Sequence, residues 1–553
     1  MNRRLSSIRL AVLLATTVVA FRGNAQTHVP TLDDLLTLKT VTGTQISPDG
    51  KHVAYTVSYG DFKQDAFITQ IWLADSSSGK SFQLTRGDKS ATNPRWSPDG
   101  KWLAFLSNRI DDKNQIFVID PTGGEGQQLT RSETAISNFA WAEDGKTIAY
   151  TATEPTPQPL KDRKDYFGEY DVVHEGYSYV HLWTIDVAEA MKGPAAGKQR
   201  TKKSDFSIDS FAWSPDGSKI VFSATINPDL IQGTTSDVYL LNLSDDSVRK
   251  IVDTPGPDNN PRFSPDGKQI VFSSAMGEKL YFANNSRLAV VSMDGGTPRS
   301  ITDNFDENPG LIDWKPDGIY FAGSQKTASH LFRVDPATAR ITRVTGPDDL
   351  MSTGFSLSRA GDSAAFIAGT PRSLNEIFLS DLHRFAPRKL TNLNEQSTQF
   401  TLGTREVISW KSQDGTTIEG ILIKPANFDP AKKYPLLCVI HGGPTGIDRP
   451  LLLSPDSRYY PADIWAARGA LVLKVNYRGS AGYGEKFRKL NVRNLGVGDA
   501  WDVLSGVDYL ISRGWVDKDK VGCMGWSQGG YISAFLTTSS DRFVAISVGA
   551  GIS

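Results

Sequence analysis

Seven copies of an apolar-Ser-Pro-Asp-Gly motif, a change of texture near Arg405, and a serine on a tight strand-to-helix turn predict the fold class: a seven-bladed β-propeller followed by an α/β-hydrolase fold. A chain of 553 residues is too long for one ordinary domain. Hydrophobic content of 39% and charged content of 22% describe a globular protein with a core. Lys plus Arg (60) nearly balances Asp plus Glu (61), which argues against a nucleic-acid partner or an anionic membrane surface.

Read from the start, the chain opens on a targeting segment. Arg3, Arg4 and Arg9 precede an apolar run from Leu10 to Phe21, and Gly23-Asn24-Ala25 supplies a small-x-small cleavage site. This is the pattern of a secretory signal peptide over residues 1–25, with cleavage after Ala25 and a secreted or periplasmic product. The apolar run is short for a bilayer span, and no later segment reaches spanning length.

The repeats follow. Ile46-Ser47-Pro48-Asp49-Gly50, Trp96-Ser97-Pro98-Asp99-Gly100, Trp141-Ala142-Glu143-Asp144-Gly145, Trp213-Ser214-Pro215-Asp216-Gly217 and Phe263-Ser264-Pro265-Asp266-Gly267 are recognisable copies. Trp314-Lys315-Pro316-Asp317-Gly318 and Leu357-Ser358-Arg359-Ala360-Gly361 are degraded ones. They recur every 43 to 51 residues, except for one interval of 72 that places an insertion in the third repeat. Pro-Asp-Gly supplies turn chemistry, and the flanking runs, such as Trp102 to Leu106, are rich in strand formers. Closing segments such as Gln83-Leu84-Thr85 and Lys389-Leu390-Thr391 complete each unit. One small sheet cannot bury both faces alone, so seven units stack around an axis over residues 26–402.

From residue 403 onward strands alternate with helical patterns. Glu406 to Trp410 and Ile418 to Ile423 read as a hairpin, then Leu436 to Ile440 and Leu471 to Val475 as strands. A helix is expected around Asp499 to Ile511, and a strand over Val544 to Val548. Such alternation argues a parallel sheet with helices on both faces. Val521 to Met524 leads into Gly525-Trp526-Ser527-Gln528-Gly529, and a helix follows. A serine so placed is a nucleophile elbow, its Oγ exposed above the sheet. Acyl transfer also needs donors aimed at the developing oxyanion. The backbone N–H groups of Gln528 and of the Gly442-Gly443 pair, directly after the strand Leu436 to Ile440, are the candidates. His441 reads as a loop-shaping residue, because the base of this fold follows the nucleophile in the chain. Cys438 and Cys523 fall in strands expected to be neighbours, where two buried free thiols are favoured over a bridge. There is no His-Glu-x-x-His, cysteine cluster or phosphate loop, so no cofactor and no metal is expected.

Taken with His441-Gly442-Gly443-Pro444, Asn476-Tyr477-Arg478-Gly479-Ser480-Ala481-Gly482-Tyr483-Gly484 and Gly525-Trp526-Ser527-Gln528-Gly529-Gly530, the architecture resembles the prolyl oligopeptidase family of serine peptidases. The closest likeness is to its acylaminoacyl-peptidase and bacterial dipeptidyl-peptidase branch. The resemblance implies cleavage of short peptides through an acyl-enzyme on Ser527, with Gly443 as the second oxyanion donor. It also implies a triad Asp and His well beyond the nucleophile, whereas 26 residues follow Ser527 and all seven histidines precede it. A hydrolase fold incomplete at the C-terminus, with poor turnover by the chain as it stands, is therefore expected. Dipeptidyl-peptidases hold the substrate's amine with propeller carboxylates. In the third-repeat insertion, Glu169, Asp171, His174 and Glu175 are available, with Glu169 and Glu175 the candidate anchors against the reading of a solvated charged loop. The alternatives are a propeller-based periplasmic binding protein with a remnant hydrolase half, and a carboxylesterase. Peptides are the expected partners, with no membrane span after signal removal, and the sequence leaves homo-oligomer formation open.

Overall fold

The computed structural model describes residues 27–551 apart from 171, 173, 174, 203, 204, 279 and 280. The expected signal segment, with Asp171 and His174 of the insertion, lies outside the described residues. Among the described residues no helix is long and apolar enough to cross a membrane.

Seven four-stranded antiparallel sheets follow one another along the chain, each made of consecutive strands. Blade 1 spans Thr40 to Gln83, blade 2 Ala91 to Gln128, blade 3 Ile136 to Gln199 and blade 4 Ser207 to Val252. Blades 5, 6 and 7 span Asp258 to Ser300, Gly310 to Arg343 and Met351 to Lys389. The motif turns between the first two strands of a blade. In blade 1 the Ser47 hydroxyl donates to the Asp49 carboxylate (2.7 Å) and accepts from the His52 N–H (2.9 Å). The closing Leu-Thr segments have an equally local cause. The Thr85 hydroxyl accepts the Ile71 N–H and donates to Gln70, and Thr130, Thr201, Thr302, Thr345 and Thr391 cap their blades' third strands in the same way. His181 and His330 take the place that Gln70 holds in blade 1, each with Nδ1 beside the capping threonine. Burial holds both imidazoles below their ordinary pKa, His330 at about 4. They are structural histidines.

Because every blade uses consecutive strands, the ring closes through side chains. Val41, Ile46, Tyr55 and Val57 of blade 1 form one core with Ala365, Ile367 and Ile377 of blade 7. The Thr44 hydroxyl donates to Gly354 O and the Ile46 N–H to Ser356 Oγ across the same seam. The 72-residue interval holds an insertion between the second and third strands of blade 3, and it contains a helix, Gln158–Phe167, that the charged sequence did not suggest.

Downstream, one six-stranded sheet has the order Thr404–Lys411, Thr417–Lys424, Leu471–Asn476, Tyr434–Ile440, Val516–Trp526 and Ala545–Gly549. The hairpin pairs antiparallel and the last four strands pair parallel. Cys438 and Cys523 stand directly opposite on neighbouring strands, both buried and free. Helix Gly498–Ser512 packs Val503 and Val507 against Trp410 and Leu473 in the main hydrolase core. Arg478 is buried and bonds Asp502 of that helix (2.8 Å) and Asp414 of the hairpin (2.9 Å), which fixes the loop after strand Leu471–Asn476.

Blades 5 and 6 grip that loop. The Arg488 guanidinium forms a buried ion pair with Glu307, whose other oxygen accepts the Gly482 N–H. Asp306 accepts from the Glu485 N–H (2.9 Å), Lys326 pairs with Glu419 (2.6 Å), and Arg449 donates to Ser324 Oγ (2.9 Å). Leu35 and Leu38 of the N-terminal segment pack with Leu374 of blade 7 and with Leu452 and Ile464. Breaking a buried pair strands a charge without a partner. Arg488→Ala should destabilise the protein by about 3 kcal/mol or more, and adding Glu307→Gln should recover part of the loss. Thermal unfolding of the single and double variants checks this.

Candidate active site

The parallel strand Val516–Trp526 ends at Ser527, and helix Gln528–Ser539 begins on the next residue. Ser527 has φ 55° and ψ −119°, a conformation costly for a residue with a Cβ. Two contacts hold it there: its N–H donates to Gly549 O and its carbonyl accepts from the Tyr531 N–H, both at 2.9 Å. Strand and helix cross so closely that a Cβ on Gly525 or Gly529 would collide with backbone, in the second case with Ile440 O. Only glycine permits the turn. The result is a serine displayed at the surface beside a half-exposed Trp526.

Gln528 is the first helical residue, so its N–H is among those no helical carbonyl can satisfy. Its side chain reaches back to Asp499, donating from Nε2 to Oδ2 at 3.3 Å. Asp499 is fully buried at the start of helix Gly498–Ser512, and burial pushes its carboxyl up to about 6.

The loop after strand Tyr434–Ile440 lies across the elbow. A Cβ built on Gly442 would stand 3.2 Å from Ser527 Cβ and 3.8 Å from its Oγ. Gly443 has φ 134°, where a side chain would be strained. His441 stacks on Tyr477 with ring centroids 4.5 Å apart. Its Nδ1 lies 2.8 Å from Gly442 O and its Nε2 3.0 Å from Ser480 Oγ. Burial lowers its pKa. The buried Tyr477 hydroxyl donates to His441 O (3.0 Å), and Asn476 exchanges hydrogen bonds with the Asp448 backbone. The loop carrying Gly442 and Gly443 is thus bolted to the end of the neighbouring strand.

The structure therefore gathers Ser527, Gln528 and the Gly442-Gly443 pair at one place. Glu169 and Glu175 are exposed on the blade 3 insertion, with Glu169 held by Lys164 at 2.5 Å. That ion pair keeps the Glu169 carboxyl below the usual range. Sequence reasoning missed Asp499, Tyr477 and Ser480 as residues that shape the site. A partial signal existed for Asp499: it lies three residues from Asp502 and so on the same helix face, away from the exposed Asp508.

Comparison with known proteins gives a consistent picture. Residues 457–553 match the prolyl oligopeptidase family, and residues 38–176 match the TolB beta propeller domain. The chain is 28% identical to an uncharacterized peptidase of Bacillus subtilis, YuxL, over 93% of this chain and 81% of the relative. It is 26% identical to dipeptidyl-peptidase 5 of Porphyromonas gingivalis over 100% of this chain and 83% of the relative. Among solved structures, the acylaminoacyl peptidase of Pyrococcus horikoshii superposes with a TM-score of 0.78 at 21% identity, covering 96% of this chain and 79% of that one. A puromycin-hydrolyzing peptidase of Mycobacterium tuberculosis gives 0.70 at 16% identity, covering 95% and 80%.

The Asp499 shift has a consequence for stability. Its folded-state pKa of about 6 lies above the ordinary 3.8, so ionising it opposes folding. The stability it withholds grows as pH rises through that window and is full above it. Asp499→Asn, which keeps an acceptor for Gln528, should be more stable than the parent at neutral pH by up to about 3 kcal/mol, with no difference near roughly pH 4. Asp258 titrates in the same range, so the difference between variant and parent in denaturant unfolding is the quantity to measure.

Proposed function

We propose that the chain, whose residues 457–553 match the prolyl oligopeptidase family, is a serine peptidase that hydrolyses short peptides through an acyl-enzyme formed on Ser527. The observation that carries this reading is the strained backbone of Ser527, which presents Oγ between a helix N-terminus and a glycine loop. Oγ gives up its proton and attacks the scissile carbonyl carbon, and the carbonyl oxygen takes up negative charge. Collapse of the adduct breaks the C–N bond, so that the protonated amine leaves and water later removes the acyl group from Oγ. The Gln528 and Gly443 N–H groups are the donors assigned to the carbonyl oxygen, where preorganised dipoles lower the barrier without reorganising. Asp499 and Tyr477 are positioning residues, one for Gln528 and the other for the loop. His441 shapes the loop; among the described residues no histidine hydrogen-bonds Ser527, and the general base is not assigned.

Ser527→Ala should abolish peptidase turnover and covalent labelling by a fluorophosphonate while leaving the thermal midpoint unchanged, since only Oγ is lost. Labelling that survives the substitution rejects the assignment. An unlabelled chain that binds peptides favours the binding-protein alternative, and turnover of esters without peptides favours the esterase.

Similarity to dipeptidyl-peptidase 5 supports a second level of reading, in which the blade 3 insertion holds the substrate's free amine. Glu175 is the better anchor, because Lys164 already compensates Glu169. Glu175→Gln should raise KM for free-amine substrates about tenfold, with N-blocked peptides little affected and Glu169→Gln weaker. Equal effects on both substrate classes favour an acylaminoacyl or endo-acting specificity.

A further inference from the structure

The first strand of each blade is the innermost, and the residue before its apolar motif residue is neutral in blades 1, 3, 4 and 7. Blades 2 and 5 place arginine there, Arg95 and Arg262. The two segments share a longer identity: Asn93-Pro94-Arg95-Trp96-Ser97-Pro98-Asp99-Gly100 and Asn260-Pro261-Arg262-Phe263-Ser264-Pro265-Asp266-Gly267. They share an irregular backbone as well. Asn93 and Asn260 have φ 52° and 54°, and the strand register shifts between Thr92 and Arg95 and between Asn259 and Arg262. A bulge re-aims the side chain that follows it.

Blades 2 and 5 are three places apart in a ring of seven, so their inner strands face each other only across the axis. Burial, and then the Arg262 charge, lower the pKa of Arg95 to about 10. Both side chains keep some accessible surface, as groups on a central channel would. Among the described residues no hydrogen bond or ion pair engages the Arg95 guanidinium. Arg262 donates to its neighbour's Pro261 O (2.8 Å) and feels the Asp313 carboxylate. Asp313 is itself paired with Lys315 at 2.8 Å. Arg262 and Lys315 thus share one carboxylate, while Arg95 has the Arg262 charge as its recorded electrostatic neighbour.

Like charges brought together in a partly desolvated space oppose folding, and nothing in the propeller's construction needs them. A guanidinium fork matches the two oxygens of a carboxylate or phosphate. We propose that Arg95 and Arg262 form an oxyanion-binding site on the propeller axis, for a small molecule that carries a carboxylate or phosphate group. The α-carboxylate of a peptide and a free inorganic oxyanion share that chemistry. The site is read by binding alone and stands whether or not Ser527 is the nucleophile.

Isothermal titration of the purified chain with inorganic phosphate, a free-acid tripeptide and the same tripeptide amide tests this. At least one oxyanion should bind, more weakly as NaCl rises. The Arg95→Gln/Arg262→Gln protein should lose about tenfold or more in affinity, the order expected for losing charge-assisted hydrogen bonds. Its thermal midpoint should be no lower than the parent's, because repulsion is relieved. Arg95→Lys, which keeps the charge but loses the fork, should also weaken binding at an unchanged midpoint. Binding of the acid but not the amide identifies a peptide terminus, and binding of phosphate alone identifies a free ion. No binding to the parent, or equal binding to the double variant, overturns the proposal.

Discussion

A serine hydroxyl shared between a carboxylate and a backbone N–H is the constraint from which most of this structure follows. In five blades it spans the turn after the first strand, through Ser47, Ser97, Ser214, Ser264 and Ser358. Because the hydroxyl also accepts the N–H five residues on, the turn fixes the register of the first hairpin. Register decides which face each side chain occupies. It sends the motif tryptophan onto the preceding blade, where the indole N–H of Trp96 donates to Gln45 O, that of Trp141 to Arg95 O and that of Trp213 to Ala140 O. One short motif therefore sets both the blade and its contact with the next. Where the serine is missing, in blades 3 and 6, the blades still form, carried by their neighbours.

The ring so made is a platform for a sheet whose own geometry is less forgiving. The elbow depends on a strand and a helix crossing without side chains between them, at Gly525 and Gly529. The strain at Ser527 persists because flanking hydrogen bonds over-determine it. Arg478, threaded between Asp414 and Asp502, carries order from the hairpin through the core helix to the loop that blades 5 and 6 hold. That loop is continuous with the residues that bolt His441 and the Gly442-Gly443 pair in place. The propeller thus supports the site through the loop Tyr477 to Arg488 as well as standing beside it.

Much of this was legible in the sequence, for a physical reason: turn chemistry and strand periodicity are local, and a motif repeated seven times averages out local noise. The elbow was legible because its glycines answer a steric demand that few other arrangements make. What stayed hidden depends on distant partners. Asp499 shares a helix face with Asp502, yet only its contact with Gln528, from 29 residues away, separates it from an acid capping an exposed helix. Tyr477 reads as one residue of a glycine-rich stretch until its hydroxyl is seen on His441 O. The helix Gln158–Phe167 has no buried residue, so no apolar face announces it.

The placement of charge separates the parts of the molecule that hold it together from those that face a ligand. Arg478 with Asp502, Arg488 with Glu307, Arg405 with Asp463 and Lys474 with Asp448 are buried cations, each matched to a buried acid. Desolvation of such pairs is offset by their own attraction, so they fix geometry at little net cost or gain. Asp499, Asp258 and the Arg95–Arg262 pair break that pattern. Asp499 is buried with a single neutral side-chain partner beside the nucleophile, and the arginines oppose one another on the axis. In a fold that matches most of its interior charges, groups kept at a cost to stability mark candidate places where something other than stability decides the residue. One of those places adjoins Ser527, and another lies in the wall of the channel.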